Sequence, residues 1–352
     1  MDFLKEYKVA ILDFIKDFLH QKKNNFPFIN LWQEDFLNKL YHYAQGGKMI
    51  RGGLACFSYS LFQEEVKPCI IQGGAALELI QAALLIHDDI MDQDNLRRGE
   101  PSFHAQYSLK ASQLSLNQPQ RFGESMGICA GDISFFLAFD ILSNLLEVPH
   151  PLRIHILQKI SLELSLVGFA QMGDVYFEAF KGEPSLEEIT RLYQYKTARY
   201  SFSLPFMLGG LLAQIPESVL SSLILLGEKM GVLFQITDDE LDIFQTTKEI
   251  GKNAGSDITK NKKTLLRYWL YQKCHQEEKD YLNKVFGSSC LSEQDLNQVQ
   301  NMLEKKGILS QLEKEKTHLL NQSKEIIEQL PLTNLKKEAF LDFLQKLAFR
   351  KK

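Results

Sequence analysis

Apolar residues recur with helical spacing along most of the chain. From Leu77 to Met91 the apolar positions 77, 80, 84 and 91 lie on one face of a predicted helix. The same spacing recurs at Leu157, Ile160, Leu164 and Val167. No convincing run alternates apolar and polar residues as a strand would, and no internal repeat of about 20 to 50 residues is visible. The pattern therefore predicts an all-α fold, an antiparallel helical bundle that forms a single domain over residues 1–352.

Local signals predict two helix starts and one loop. Ser185 and Glu188 form a capping-box pattern, which predicts a helix that reaches Thr197. Ser292 predicts the start of a C-terminal helix in the same way. The polar run 111–120 (ASQLSLNQPQ) breaks the helical periodicity and predicts a surface loop within one domain. None of these signals marks a linker.

Composition narrows the class of protein. Of the 352 residues, 45% are hydrophobic and 24% are charged. These values suit a globular protein with a large core and exclude disordered, collagen-like and disulfide-stapled chains. The formal net charge of -4 provides no overall basic field, so we expect no nucleic-acid partner. The 5 cysteines include no CxxC pair, which argues against a disulfide framework or a zinc site and favours a reducing compartment.

Two segments bear on localisation. The N-terminal residues 1–23 alternate charged and apolar positions, unlike a signal peptide. The charge-free stretch 200–216 contains Pro205 and Gly209 and falls short of the roughly 18 apolar residues that a membrane span needs. We therefore expect a cytoplasmic protein that is not an integral membrane protein.

Acidic residues interrupt one apolar helix face. In LELIQAALLIHDDIMDQD, Asp88, Asp89 and Asp92 have DDxxD spacing, and steps of four connect Ile80, Leu84, Asp88 and Asp92. A single motif of this kind is most simply a solvated helix face. Carboxylates that enter an apolar row, however, repel one another and lose hydration unless they are paired or bind a metal.

A second DDxxD motif occurs later in the chain, at Asp238, Asp239 and Asp242 in GVLFQITDDELDIF. Two copies favour a function over a solvated face. Carboxylate oxygens at this spacing suit Mg²⁺, which takes one or two carboxylates together with substrate phosphate oxygens and keeps several waters. The two motifs predict a metal-bridged diphosphate between two facing helices.

Cations that could bind the same ligand accompany both motifs. Arginine presents a planar fork to phosphate oxygens, and lysine presents a compact charge. One pair lies in the glycine-rich GGKMIR segment, a second follows the first acid motif, and the others flank the second motif. They are Lys48, Arg51, Arg97, Arg98, Lys196, Lys252 and Lys262.

In this order the segments resemble the trans-isoprenyl diphosphate synthase (polyprenyl synthetase) family across nearly the whole chain. The resemblance is carried by GGKMIRGG, LIHDDIMDQDNLRRG, CAGD, the KT pair at 196–197, FQITDDELD and the pattern GKx4Dx4KxT. It implies the isoprenoid synthase type I fold, with helices around a central apolar cavity, in a homodimer. It also implies head-to-tail condensation of isopentenyl diphosphate with an allylic diphosphate (dimethylallyl, geranyl or farnesyl), with about three Mg²⁺ ions per active site.

The resemblance also implies roles for individual residues. The catalytic metal ions would be held by Asp88, Asp89, Asp92 and Asp238, and through water by Asp239 and Asp242. The allylic diphosphate would contact Arg97, Lys196 and Lys252. Isopentenyl diphosphate would contact Lys48, Arg51, Gln81 and Arg98. The developing carbocation would face Thr197, Gln235 and the Lys196 carbonyl, and the mouth would be closed from a flexible tail by Lys262. A further family element is matched by Gln171 and Asp174.

No general-base side chain is required in this family, because the released diphosphate is thought to accept the proton. His87 adjoins the first acid motif. We expect it to pack against neighbours rather than to catalyse.

Four positions depart from the family pattern. Ala170 replaces a Gly, Met49 a frequent Arg, Gly52 a usual Pro, and Asn261 a usual Gly before Lys262. At Met49 and Gly52 we expect a looser loop and weaker isopentenyl binding. None of the four removes an essential charge, so we expect activity.

Product length should depend on the residues below Asp88. Leu84 and Ile80 lie one and two helical turns of ~5.4 Å below it, with Ala83 alongside. Short-chain members of the family tend to place an aromatic residue just before the first motif, and QAALLIH has none. The sequence therefore favours geranylgeranyl diphosphate (C20) over farnesyl diphosphate, with a farnesyl or a longer-chain synthase as the alternative. The candidates for a lower floor of the product cavity, or alternatively for ordinary core packing, are Phe135, Phe136 and Phe169.

Two other classes of protein share parts of this pattern. Non-catalytic partner subunits lose acids from one or both motifs, and terpene cyclases normally carry an Asn/Ser/Glu metal motif in place of the second DDxxD. All six aspartates are present here. The sequence therefore favours a catalytic synthase.

Overall fold

A computed structural model describes residues 2–244, 255–288 and 290–349. These ranges are almost entirely helical, which confirms the all-α prediction. A hairpin of β1 (Leu96–Arg97) and β2 (Glu100–Pro101) is the only sheet in them. The helices are α1 (Asp2–Asn25), α2 (Trp32–Gln45), α3 (Ile50–Ser60), α4 (Pro68–Met91), α5 (Phe103–Gln113), α6 (Pro119–Ser143), α7 (His150–Ala179), α8 (Leu186–Leu192), a π-helix (Tyr193–Ser203), α9 (Leu204–Leu212), α10 (Glu217–Phe244), α11 (Ser256–Thr259), α12 (Leu265–Lys273), α13 (Gln276–Val285), α14 (Glu293–Lys305), α15 (Ile308–Gln329) and α16 (Asn334–Ala348).

The chain forms two compact units. Unit 1 comprises Met1–Ser161 and Pro205–Leu220, and unit 2 comprises Leu162–Leu204 and Ser221–Lys352. The first acid motif belongs to unit 1 and the second to unit 2. The single domain over residues 1–352 stays a prediction.

Helix α4 is the centre of unit 1, where α1, α3 and α6 pack against it. It is apolar on nearly all sides, as expected for a helix enclosed by others. Glycines let α3 approach α4 closely, because a Cβ at Gly52 would lie 2.8 Å from the Gly74 carbonyl oxygen of α4. Gly52 is buried inside α3. The looser loop that we expected at this position is therefore wrong.

In unit 2, two glycines of α10 allow the π-helix to pack backbone against backbone. A Cβ at Gly231 would lie 2.5 Å from Ala198 Cβ, and a Cβ at Gly227 would lie 2.6 Å from Ser203 Cα. Larger side chains would separate the two helices. Gly227 and Gly231 lie four residues apart on one face of α10, and the π-helix packs against the space that they leave.

The helix starts predicted at Ser185 and Ser292 are confirmed, whereas the predicted end of the first helix is not. Ser185 caps α8 in a reciprocal capping box with Glu188, and Ser292 caps α14. The helix predicted to reach Thr197 instead passes into the π-helix and continues to Ser203. The predicted loop is shorter than 111–120, because α5 ends at Gln113 and α6 begins at Pro119.

Three of the described helices, α4, α6 and α10, are long and apolar enough to cross a membrane by length and composition. In α4, 78% of the most apolar window is buried inside the protein, which accounts for its composition without lipid. The corresponding share in α6 and α10 is 44%. Cytoplasmic localisation and the absence of a membrane anchor stay predictions.

Candidate active site

The first acid motif lies at the C-terminal end of α4. Asp88 and Asp89 are in the last turn, and Asp92 is the residue that ends it. Asp89 is fully buried: Arg97 Nε donates to its Oδ1 at 2.7 Å, and the Tyr43 hydroxyl donates to Oδ2 at 3.5 Å. Burial raises the pKa of Asp89 to about 6, although the Arg97 guanidinium opposes this shift. The motif therefore contains one enclosed carboxylate and others that are partly exposed.

The hairpin after α4 returns Arg97 to this motif. Its turn is formed by Arg98 and Gly99, whose φ values of 58° and 81° suit a tight two-residue hairpin turn. Besides Asp89, the Arg97 guanidinium lies 3.8 Å from Asp88 and 3.7 Å from Asp94. One arginine thus serves three carboxylates. We predicted no strand here, because strands of two residues are too short to show alternation.

The glycine-rich segment is held from two sides in unit 1. Lys8 of α1 donates to the Gly47 carbonyl at 2.7 Å. Arg98 donates to the Tyr43 carbonyl at 3.1 Å, and a Cβ at Gly46 would lie 3.4 Å from its Nη1. The structure therefore brings Arg98 against the turn that precedes Lys48.

Glu78, which the sequence reasoning missed, lies beneath this segment. Helix α3 begins after Met49 without a side-chain cap of its own, and the Gly52 N–H donates to Glu78 Oε1 at 2.7 Å. Burial raises the pKa of Glu78, while the hydrogen bond from Gly52 and the charges of Arg51 and Arg98 oppose the shift. A proline at position 52 has no N–H, so this hydrogen bond depends on the departure from the family pattern.

The second acid motif lies near the end of α10 in unit 2. Asp238 is exposed, whereas Asp239 and Asp242 are 3% and 2% exposed. Asp242 accepts hydrogen bonds from the Ser256 hydroxyl at 2.7 Å and from the Asp257 N–H at 2.9 Å. It thus caps the short helix α11, in the way that carboxylates satisfy free N–H groups at helix starts.

Asp239 is the end of a hydrogen-bonded chain that starts in the π-helix. Thr197 Oγ1 donates to Gln235 Oε1 at 2.7 Å, and Gln235 Nε2 donates to Asp239 Oδ1 at 2.7 Å. The Tyr193 hydroxyl donates to the other oxygen of Asp239 and accepts from the Leu265 N–H at 2.9 Å. Burial raises the pKa of Asp239 well above its usual range. Gln235 and Tyr193, the hydrogen-bond donors to Asp239, are therefore neutral side chains of unit 2.

Two predicted phosphate-binding lysines share one acid. Lys262 donates to Asp174 Oδ2 at 2.8 Å, and Lys196 contacts the same oxygen. Burial raises the pKa of Asp174, but the two ammonium groups outweigh it and hold the pKa below its usual range. Lys262 is 14% exposed and also pairs with Glu178. It lies between α11 and α12, and its predicted role at the mouth of the site stays a prediction.

Asn261 explains how the chain manages without the usual glycine before Lys262. Its φ is 57°, a left-handed conformation that asparagine tolerates better than most residues. Asn261 Nδ2 donates to the Glu178 carbonyl at 2.7 Å, and Arg267 donates to Asn261 Oδ1 at 2.6 Å. The substitution keeps the backbone shape and adds two hydrogen bonds that hold Lys262.

Arg199 anchors the π-helix two residues beyond Thr197. Its Nε and Nη2 donate to Glu163 of α7 at 2.9 and 2.5 Å, and its Nη1 contacts Glu228 of α10. The side chains of Glu163 and Glu228 are 8% and 19% exposed. This ion triad ties the segment that carries Lys196 and Thr197 to two neighbouring helices.

The sequence pattern described as polyprenyl synthetase matches residues 34–303. The chain belongs to the polyprenyl synthetase family. It is 31% identical over 270 residues to a geranylgeranyl diphosphate synthase from Sulfolobus acidocaldarius, covering 75% of this chain and 76% of that one. It is 30% identical over 231 residues to a farnesyl diphosphate synthase from Bacillus subtilis, covering 64% and 72%.

A solved structure has the same fold. The geranylgeranyl pyrophosphate synthase from Corynebacterium glutamicum, complexed with isoprenyl diphosphate and magnesium, superposes with a TM-score of 0.92 at 24% identity, over 99% of both chains. The resemblance and the type I fold are thus confirmed. As a member of this family, the protein is a trans-polyprenyl diphosphate synthase.

Within this family member, the predicted residues fall into groups. In unit 1, Arg51 and Arg98 lie around Glu78, Gln81 is half-buried about one turn further along α4, and Lys48 is exposed. In unit 2, Lys196 and Lys262 meet at Asp174, and Thr197 and Gln235 belong to the network of Asp239. Asp242 contacts α11, and Asp238 is exposed. Lys252 lies outside the described residues.

The residues predicted to limit product length divide similarly. Ile80 and Ala83 are buried, and Leu84 is partly exposed one turn below Asp88. Phe136 is 72% exposed in unit 1, so it is not an ordinary core residue there, and its role in a cavity floor stays a prediction. The other two candidates are Phe135, whose ring lies 6.0 Å from that of His87, and Phe169, which is 69% exposed in unit 2.

The acids fit a hard cation without forming a closed site. Among the described residues, no three His, Cys, Asp or Glu side chains are close enough to hold a metal ion together. Asp88 is 26% exposed and Asp238 is exposed. Such carboxylates suit Mg²⁺, which keeps water ligands and takes others from substrate phosphates.

Proposed function

We propose that this protein is a Mg²⁺-dependent synthase that condenses isopentenyl diphosphate head to tail with dimethylallyl, geranyl or farnesyl diphosphate, to yield geranylgeranyl diphosphate (C20). The observation that carries the proposal is the end of α4. Its last turn presents Asp88 and Asp89, and the two turns below present Leu84 and Ile80 without an aromatic side chain. The diphosphate and the growing hydrocarbon chain would each meet a surface of matching chemistry.

The proposed metal ligands are the aspartates of both motifs. They are Asp88, Asp89, Asp92 and Asp238, with Asp239 and Asp242 through water. When bound, Mg²⁺ would neutralise the charge that accumulates on the departing diphosphate. Arg97 supports this role, because its guanidinium favours the ionised form of the buried Asp89.

The remaining proposed contacts are those that the family resemblance implies for the two substrates. Isopentenyl diphosphate would bind Lys48, Arg51, Gln81 and Arg98, and the allylic diphosphate would bind Arg97, Lys196 and Lys252. Lys262 would add a charge near Lys196, since both contact Asp174. The Thr197 hydroxyl donates a hydrogen bond to Gln235 Oε1, so the lone pairs of Thr197 Oγ1 would be available to a developing carbocation. Aliphatic walls would keep water from that cation.

Product length can be tested directly, because the relatives include both geranylgeranyl and farnesyl synthases at almost equal identity. Purified protein is given Mg²⁺, isopentenyl diphosphate and each allylic diphosphate in turn. The products are dephosphorylated and separated by chromatography. We expect geranylgeraniol to predominate, and farnesol alone would contradict the C20 proposal.

Leu84→Phe is the matching variant. A ring one turn below Asp88 should block the growing chain, so we expect the product distribution to shift to farnesol. Leu225→Phe is its control, because Leu225 is 46% exposed and belongs to no proposed site. An unchanged distribution in Leu84→Phe would place the floor at another residue.

We also propose a homodimer, since each unit exposes apolar side chains on a long helix. In unit 1, α6 exposes Ile128 and Phe136, and in unit 2, α7 exposes Phe169, Met172 and Tyr176. Clustered apolar exposure of this kind is typical of interfaces. Light scattering should give the mass of two chains, and Phe136→Glu should shift it towards one chain. A monomeric wild-type protein would contradict the dimer.

A further inference from the structure

The CAGD segment carries part of the family resemblance but has no role in the proposed catalytic set. In unit 1, its Gly131 lies on α6 directly against His87 of α4. A Cβ at Gly131 would overlap the imidazole, lying 2.5 Å from Cδ2 and 2.8 Å from Cε1. The imidazole therefore occupies the space of the missing side chain, and only glycine leaves this space open.

Other residues of the same α6 face hold the ring in that space. His87 Nε2 lies 3.2 Å from the Ile128 carbonyl oxygen and 3.5 Å from Asp132 Oδ1. A carbonyl oxygen can only accept, so Nε2 carries a proton and donates it. The Phe135 ring lies 6.0 Å from the imidazole. Gly131, Asp132 and Phe135 lie three, four and seven positions after Ile128, which is the spacing of one helix face.

The contact from α6 acts at the end of α4, where backbone capping holds the main chain. The helix ends at Met91, and backbone N–H groups of the residues that follow it, Asp92 and Asp94, donate to the Asp88 and Asp89 carbonyls at 2.8 Å. Helix ends open more readily than helix interiors. Asp88 is adjacent to His87 in this final turn, and Asp89 follows.

We propose that His87 is a positioning residue, seated in α6 by the CAGD segment, which fixes the last turn of α4 and thereby the orientation of the Asp88 and Asp89 carboxylates. The inference rests on the proposed function, because it assigns those carboxylates to Mg²⁺. His87 Nε2 is directed at α6, so the residue acts through the backbone of α4 and not on the substrate. In this proposal, Gly131 and Asp132 of CAGD have the role of holding the His87 imidazole.

The test compares Gly131→Ala, His87→Ala and the double variant with wild type. Binding of Mn²⁺ in the presence of inorganic diphosphate is measured by electron paramagnetic resonance, and kcat and KM are measured for both substrates. Changes around metal ligands typically cost about 10- to 100-fold in metal affinity or activity. We expect each single variant to lose Mn²⁺ affinity and kcat in that range, with the KM for isopentenyl diphosphate nearly unchanged.

The double variant distinguishes a specific contact between Gly131 and His87 from a general effect on packing. If Gly131 acts by holding His87, the added methyl group should cost nothing further once His87 is alanine. His87→Asn keeps a side-chain N–H that can donate to α6, and it should recover part of the Mn²⁺ affinity. It also provides a test without overpacking if Gly131→Ala does not fold. Additive losses, or unchanged Mn²⁺ affinity in His87→Ala, would overturn the inference.

Failure of the proposed function would look different. In that case wild type itself would form no prenyl product from isopentenyl and allylic diphosphates. The Mn²⁺ comparison would still show whether His87 and Gly131 act as one unit.

Discussion

Replacing Asp88 with alanine is expected to lower kcat by roughly 10²- to 10³-fold at saturating substrates and Mg²⁺, the loss typical when one charge-stabilising group is removed from an active site. Asp88 is a partly exposed carboxylate at the end of α4. Asp89 is itself one of the proposed ligands, so its carboxylate does not replace the one that is lost. The measurement is the rate of prenyl diphosphate formation from radiolabelled isopentenyl diphosphate.

Asp94→Asn is the matched control for this variant. Asp94 lies in the same segment and 3.7 Å from the Arg97 guanidinium, but outside the DDxxD spacing. It should retain most of the activity. Near-normal activity in Asp88→Ala would contradict the assignment of the first motif to the metal.

Arg199→Met is expected to lower the free energy of unfolding by about 3 to 5 kcal/mol, the usual cost of removing one partner from a buried ion pair. The carboxylate of Glu163 is 8% exposed and would lose its two hydrogen bonds from the guanidinium. Glu228 would lose its contact as well. Urea denaturation followed by circular dichroism measures the change.

Arg191→Met is the control for this stability effect. Arg191 pairs with Glu187 one turn away on α8, and their side chains are 62% and 74% exposed. Exposed pairs contribute less than about 1 kcal/mol, so little change is expected. Adding Glu163→Leu to Arg199→Met should restore much of the lost stability, because it removes the buried charge that was left alone. A small effect in Arg199→Met would show that the triad does not hold the π-helix.

Acids on apolar faces are the most informative feature of the sequence, and two of them lie outside the DDxxD motifs. The two DDxxD motifs were recognised because their acids occur in groups. Glu78 in LELI and Glu163 in SLEL interrupt apolar faces in the same way, and both are buried contacts in the structure. Their roles could not be predicted, because the partners, the Gly52 N–H and Arg199, come from other helices.

The different environments within each motif also depend on tertiary structure. Asp88 and Asp89 are adjacent in sequence, yet only the second is enclosed, because Tyr43 and Arg97 reach it from α2 and from the hairpin. Helical periodicity predicted the all-α fold, since it is a local property. The π-helix was missed, because its path depends on close contact with Gly227 and Gly231.

Helix α4 places its carboxylates at the end where the aligned peptide dipoles are already negative. Helices usually carry cations there, whereas α4 ends in an acid motif against which the Arg97 guanidinium packs. Folding therefore places the Asp88 and Asp89 carboxylates against the negative end of a helix, an unfavourable arrangement which the unfolded chain avoids. A divalent cation bound at this end would relieve it, so cation binding and folding are thermodynamically linked. Chelating buffers would then lower the melting temperature of the protein even in the absence of any substrate.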